Sequence, residues 1–161
     1  MTSFDTVYKD NYPGMYGIAF RMVNDRDAVS DIVQEVFLYF FQKQQNGHEI
    51  NNIKSWLFRA TINKCIDYSR QLKNRVDIGY VEKLNVTEEH VDVEPGYETV
   101  HKALLQLKPK DRALVLLYSE GLSYREISEV SGIKVTSVGK TLSRILQKLN
   151  ERLKKMNYEV S

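Results

Sequence analysis

The chain has 161 residues, 42% hydrophobic and 27% charged, which allows one ordinary domain or two small helical ones and offers no apolar run near the roughly 18 residues of a membrane span. The N-terminal MTSFDTVYKD lacks the basic-then-apolar pattern of a signal peptide, so a cytoplasmic protein is expected. The net charge of +2 is unevenly spread: residues 1–50 carry −3, 51–80 carry +4, 81–100 carry −5 and 101–161 carry +6. Two basic blocks around an acidic one are either ordinary surface variation or two surfaces for a polyanion.

A lone cysteine, Cys65, excludes an internal disulfide and a multi-thiolate zinc site, and His48, His90 and His101 lack ligand-like spacing. No metal and no cofactor is expected. Asn85-Val86-Thr87 matches a glycosylation sequon, which without a secretion signal reads as chance.

Helical periodicity dominates from the start. Phe4, Tyr8, Met15, Ile18, Ala19 and Met22 mark a first helical stretch, expected to kink or restart at Pro13-Gly14. After the polar break Asn24–Asp27, a second helix is expected from about Asp27 to Gln44. Its broad apolar face is Val29, Ile32, Val33, Val36, Phe37 and Phe40. Opposite lie Asp27, Asp31, Gln34, Glu35 and Leu38, an acidic face with an apolar residue at its centre. That face suits either plain solvation with one stray leucine or a docking site, with acids for steering and Leu38 as anchor.

The segment QQNGHEINN (44–52) reads as a loop, and a third helix is expected from about Ile53 to Leu72. Leu57, Phe58, Thr61, Ile62 and Cys65 would face inward. Trp56, Asn63, Asp67 and Arg70 fall near one another on the other side, among Lys54, Arg59, Lys64, Lys73 and Arg75. An aromatic ring and an amide among cations can stack on and hydrogen-bond to an unpaired base. Equally, Trp56 would pack against the first helix and Asn63 bond a neighbour. From Asn74 to Gly96 periodicity fades, the chain turns acidic and Glu94-Pro95-Gly96 closes what reads as a linker.

The C-terminal part has shorter elements. Val100, Ala103, Leu104 and Leu107 sit at helical spacing, and Pro109 suits the first turn of the next helix. ALVLLY (113–118) has strand-like composition, but Pro109 before it and Glu120-Gly121 after it favour a buried helix. Ser123-Tyr124-Arg125-Glu126 is a capping box, with Leu122 and Ile127 in the staple positions, and Gly132 sits where a left-handed residue ends a helix. A further helix carries Val138, Leu142, Ile145, Leu149 and Leu153 on one stripe and Thr136, Lys140, Ser143, Arg144 and Gln147 opposite. Helix, glycine turn and a helix with a polar, basic outer face form a helix-turn-helix suited to a major groove, the other reading being a plain helical hairpin with solvated cations. The fold class is therefore all-α, with two small helical domains at about 1–75 and 97–158 joined by the acidic linker 76–96.

DAVSDIVQEVFLYFF followed by IKSWLFRATINKCIDYSR, an acidic linker and the helix-turn-helix closely resembles the bacterial extracytoplasmic-function (ECF) sigma factors over nearly the whole chain. The resemblance implies sigma region 2 at 1–75 and region 4 at 97–158. It implies that Asp31, Gln34, Glu35 and Leu38 dock on the β′ coiled coil of core RNA polymerase, with the β flap as a further contact. It implies that the loop Gln44–Asn52 and Asn63 hold a flipped base of the −10 element, with Trp56, Arg59, Lys64 and Arg70 on the opened strand. Arg125, Thr136, Ser137, Lys140, Thr141 and Arg144 would meet the −35 element. The linker would thread the polymerase channel, and a membrane-linked anti-sigma factor would sequester both domains. No small-molecule substrate is implied.

One run departs from the family's pattern. Where relatives often have G-T-V-x-S-R, this chain has Thr136-Ser137-Val138-Gly139-Lys140-Thr141, so the usual arginine is Thr141 and Gly139 weakens the helix by about 1 kcal/mol against alanine. The −35 sequence cannot be carried over from relatives. Competing readings are a stand-alone helix-turn-helix regulator, which would bind a two-fold symmetric duplex without polymerase, and an adaptor that uses only the acidic face. An enzyme fits least: no phosphate-binding glycine loop, metal cluster or nucleophile–base pair stands out.

Overall fold

The computed structural model describes residues 3–75 and 97–160, and these are helical apart from short connections. The expected linker, with the Asn85 sequon and His90, lies outside the described residues. Seven helices are described: α1 (Phe4–Val23), α2 (Arg26–Gln45), α3 (Ile53–Arg75), α4 (Tyr97–Leu105), α5 (Pro109–Ser119), α6 (Tyr124–Ser131) and α7 (Val135–Val160).

α1 begins on Ser3, whose hydroxyl accepts from the Thr6 N–H at 3.3 Å. It then runs through Pro13 without the expected restart. Pro13 is exposed, as is Lys9, whose carbonyl is the one deprived of its helical donor. The neighbouring Gly14 has a packing role, since a Cβ there would stand 2.9 Å from Cζ of Phe58. α1 ends at Asn24 in the left-handed conformation, φ 55°, with its N–H returned to the Phe20 carbonyl at 2.8 Å. Asp25 follows as the cap of α2. One carboxylate oxygen accepts from the Ala28 N–H at 3.1 Å, and the other accepts from the Tyr68 hydroxyl at 3.1 Å, which ties the start of α2 to α3.

Helices α1, α2 and α3 pack mutually around Met15, Ile18, Val33, Val36, Phe40 and Leu57, all essentially free of solvent. The second set, α4 to α7, packs around Leu117, Ile127, Val138 and Ile145. ALVLLY is indeed helical, and Ala113 to Leu117 are buried. The capping box of α6 is complete: the Ser123 hydroxyl accepts from the Glu126 N–H and the Glu126 carboxylate from the Ser123 N–H, both at 3.1 Å. Gly132 takes φ 79°, which a side chain rarely adopts, and the chain turns into α7.

The two sets are also in contact. α1 meets α4 and α5, and α3 meets α5 and α6, so the apolar interior is continuous across both. Arg112 of α5 lies at this junction, 6% exposed. Its guanidinium donates to the carbonyls of Leu104 (2.9 Å), Leu105 (3.0 Å), Leu107 (3.0 Å) and, from α1, Met22 (2.8 Å). It thus closes two helix ends, where carbonyls lack intrahelical partners and the dipole favours a cation. Burial lowers its pKa, yet an arginine of this kind stays charged at neutral pH.

Candidate nucleic-acid interface

Three surfaces hold the residues singled out in the sequence. The first is the outer face of α2. Its apolar residues pack inward, which leaves Asp27, Asp31, Gln34 and Glu35 exposed and Leu38 62% exposed. Shallow apolar grooves flank Leu38: one is lined by Phe4, Tyr8, Phe37 and Phe41, the other by Glu35, Tyr39, Gln42 and Lys64. Lys64 therefore stands apart from the other cations of α3. Its ammonium donates to the Glu35 carboxylate at 2.9 Å, so it belongs to the acidic face.

The second surface is a cleft of about 500 Å³ between the loop before α3 and the start of that helix. Lys43, His48, Asn51, Asn52, Trp56 and Arg59 contribute to it, and Glu129 of α6 reaches its rim. Asn52 is the cap of α3, accepting from the Ser55 N–H at 3.1 Å through its side-chain oxygen. Trp56 is half-buried. Its ring stacks on Tyr39 with centroids 5.7 Å apart and leans on Phe40, so it packs on α2 while still lining the cleft. Lys43 stands 5.3 Å over the Tyr39 ring and adds a cation to the same edge.

Asn63 and Arg70 are exposed further along α3 and are not among the cleft's lining residues. The cleft and the exposed face of α3 form a track in which Trp56 and Arg59 come first, Asn63 and Asp67 next and Arg70 last. Cys65, on the inner side, is fully buried, and burial pushes its thiol up to about 12, too high for a reactive thiolate at neutral pH.

The third surface is α7. Val138, Leu142, Ile145 and Leu149 are buried, and Thr136, Lys140, Ser143, Arg144 and Gln147 are exposed. Thr141 and Ser137 are half-buried, and the Thr141 hydroxyl donates to the Ser137 carbonyl at 2.8 Å, which turns it back along the helix. Arg125 is exposed at the start of α6. Gly139 leaves room for Tyr124, whose ring lies 3.4 Å from where a Cβ would be. Among the described residues no cluster of His, Cys, Asp and Glu could hold a metal, and no helix is long and apolar enough to cross a membrane.

Residues 7–75 match the family described as Sigma-70 region 2, and residues 97–149 match Sigma-70, region 4. The chain belongs to the ECF RNA polymerase sigma factors. It is 31% identical over 133 residues to the RNA polymerase sigma factor SigZ of Bacillus subtilis, covering 81% of this chain and 76% of that one. It is 29% identical over 170 residues to the ECF RNA polymerase sigma factor SigE of Mycolicibacterium smegmatis, covering all of this chain and 65% of the relative's length.

Among solved structures, the sigma factor RpoE of Bartonella quintana, crystallised in complex with the anti-sigma factor NepR, has the same fold. The TM-score is 0.70 at 24% identity, over 94% of this chain and 96% of that one. Sigma factors are transcription initiation factors that direct RNA polymerase to promoters. The two family matches coincide with the two helical sets: α1–α3 is region 2 and α4–α7 contains region 4.

Sequence reasoning singled out neither Tyr39 nor Lys43, which stand at the edge of the cleft beside Trp56, nor Arg112, which is buried at the junction. The signal for the first two was present, since i and i+4 place them on one helical face beside the loop that follows.

Proposed function

We propose that this sigma factor docks on core RNA polymerase through Asp31, Gln34, Glu35 and Leu38. The holoenzyme then reads a −10 element with the cleft and track of α3 and a −35 element with α7. The supporting observation is the pairing, in one chain, of an acidic helix face centred on an exposed leucine with two separate cationic surfaces. A single helix-turn-helix makes few phosphate contacts, and its affinity falls steeply with salt. Attachment of both halves to one polymerase supplies the missing effective concentration.

On the −10 side, Trp56, Arg59 and the amides of Asn51 and Asn52 converge on the cleft, where an unstacked base finds a ring face and hydrogen-bond donors. Asn63 and Arg70 continue the strand's path along α3. Lys64 acts with the docking face, where it balances Glu35. On the −35 side, Lys140 and Arg144 supply the cationic contacts, Thr136 and Ser137 the small hydroxyls of the first turn, and Arg125 a phosphate contact. Thr141 serves the helix itself. The protein acts in the cytoplasm without catalytic chemistry or a cofactor of its own, with the β′ coiled coil and β flap as polymerase contacts. An anti-sigma factor is its second partner, as the Bartonella relative has one in its complex, and membrane linkage of that factor is part of this reading alone.

Run-off transcription from fragmented genomic DNA of the source organism, with core polymerase present and this protein added or withheld, tests the proposal. Discrete protein-dependent transcripts are expected, and their upstream sequences give both elements. An absence of transcripts, together with tight polymerase-free binding to a symmetric duplex, would favour a stand-alone regulator.

A further inference from the structure

The outward side of α7 has two unlike edges. On a helical wheel Lys140 and Arg144 lie to one side of Gln147, and Thr136, Gly139 and Ser143 lie to the other. One edge is cationic and the other uncharged. Cations suit the acceptor atoms of guanine, whereas the methyl group of thymine is read by apolar contact. Gly139 belongs to the uncharged edge, one turn into the helix and about 6 Å along its axis from Val135. In helix-turn-helix proteins this N-terminal part of the second helix is the part that reaches base edges.

The backbone does not ask for a glycine there. Among the described residues the glycines with positive φ are Gly47, Gly121 and Gly132, while Gly139 is an ordinary helical residue at which glycine weakens the helix. What occupies the vacant side-chain position is Tyr124. The three atoms nearest to a Cβ at 139 are Cε2 of that ring at 3.4 Å, its Cζ at 3.9 Å and its Oη at 3.9 Å. The far edge of the phenol therefore lies against α7 where the side chain of residue 139 would begin.

Tyr124 is the first residue of α6, and the capping box of Ser123 and Glu126 fixes the turn from which it projects. The interior of this helix pair is filled by Ile127 and Val130 of α6 and Val138 and Leu142 of α7, and Tyr124 stands outside it, 46% exposed. A ring with two side-chain torsions, set by a capped turn and resting on a bare Cα, offers a rigid contact at low entropic cost.

We propose that Tyr124 and Gly139 act as one reading unit for the −35 element. The ring takes the place of a side chain at 139 and packs on the 5-methyl group of a thymine in the major groove. This rests on the functional reading above, to which it adds a residue and a base preference. Lys140 and Arg144 serve the opposite edge, and the ring sets the preference at one base pair.

A promoter library tests this. It is built on a promoter obtained by run-off mapping, with the −35 positions randomised, and the fraction bound by holoenzyme is sequenced. The native protein should enrich thymine at one position that Tyr124→Ala no longer selects, while the other positions keep their preferences. Deoxyuridine in place of that thymine removes the methyl group alone and should weaken native binding by about fourfold, the worth of one buried methyl. Tyr124→Phe should keep both properties. Gly139→Lys, a good helix former whose side chain competes with the ring, should lose the thymine preference with a urea midpoint at or above the native one.

A Tyr124→Ala profile that matches the native one at every position overturns the inference, as does a native profile with −35 preferences but no such thymine. Deoxyuridine exchange without loss of affinity overturns it too. Weakening of all sequences alike by Tyr124→Phe would make the phenol a phosphate donor and also overturns it. Any −35 preference in the native profile shows that the functional reading stands in each of these cases. A native profile without one removes that reading and this inference together.

Discussion

Replacing Arg112 by methionine keeps the side chain's length and most of its volume while removing every donor of the guanidinium. Four carbonyls then lose a charged donor, three at the end of α4 and the turn after it and one at the end of α1, although the Leu104 carbonyl keeps the Leu107 N–H at 3.0 Å. A hydrogen bond to a charged group contributes about 1.5–3 kcal/mol, so the gross loss is about 6–12 kcal/mol. Against it stands the relief of desolvating a buried cation, several kcal/mol. The net loss expected for Arg112→Met is about 4 kcal/mol, a large part of the roughly 5–15 kcal/mol that holds a domain folded.

Arg112→Lys retains the charge but offers a compact head that cannot reach four acceptors at once, and should lose about 2 kcal/mol. Urea unfolding followed by far-ultraviolet circular dichroism gives the comparison. With a slope near 2 kcal/mol per molar urea, the midpoint should fall by about 2 M for methionine and about 1 M for lysine. A methionine midpoint within about 0.5 M of the native one would refute the reasoning, because it would mean the four carbonyls are satisfied as well without Arg112 as with it.

Other expectations follow from the same contacts. Asp31→Lys with Glu35→Lys should abolish binding to core polymerase in a pull-down while unfolding shifts by less than about 1 kcal/mol, since both residues are exposed and the bond lost among the described residues is the surface pair with Lys64. Asn63→Ala should slow promoter opening, read by permanganate reactivity of unpaired thymines, more than it weakens core binding; equal losses would mark a structural asparagine. Lys140→Ala with Arg144→Ala should weaken holoenzyme binding to a −35-bearing duplex and lower the slope of log K against log salt by about 2, one per phosphate contact removed.

His101 gives a pH signature. Burial first, then Arg112 and Arg21, hold its pKa below the ordinary 6.5, so the unfolded chain takes up the proton first as pH falls. Stability from this group is fully present above about pH 6.5 and is lost progressively below it, down to the lowered folded value. Urea midpoints of the native chain should therefore drop between pH 7.5 and 5.5 more than those of His101→Asn.

Where a structural decision is local, the sequence carried it. Ser123 and Glu126 sit at the only spacing that lets each satisfy the other's N–H, Gly132 takes the backbone angle that other residues resist, and Pro109 opens a helix where its missing N–H is not needed. The inward and outward faces of α2 and α7 follow from period alone. Pro13 does not restart the helix, because an exposed proline inside a helix is tolerated when the flanking turns pack, and only the packing of α1 decides that.

The junction was illegible for a related reason. Nothing local to KDRALV distinguishes Arg112 from a surface cation; its burial depends on carbonyl groups at the ends of two helices, one of which, at Met22, is ninety residues away in the chain. Lys64 and Arg59 are likewise interchangeable in composition, and the packing of α3 beside α2 sends one to Glu35 and the other to the cleft. Of the candidate site, therefore, the faces were readable and their grouping was not.

The division of α7 into a buried stripe and an outward row has a bearing on how such proteins diversify. Val138, Leu142, Ile145 and Leu149 anchor the helix, while Thr136, Lys140, Ser143, Arg144 and Gln147 touch little of the protein itself. Substitutions in the outward row change stability by only a few tenths of a kcal/mol. A duplicated gene can therefore drift to a new DNA sequence through the outward row alone, while its anchoring stripe and its acidic α2 face stay under separate selection. Several such factors can then share one polymerase in the same cell and still address different sets of genes.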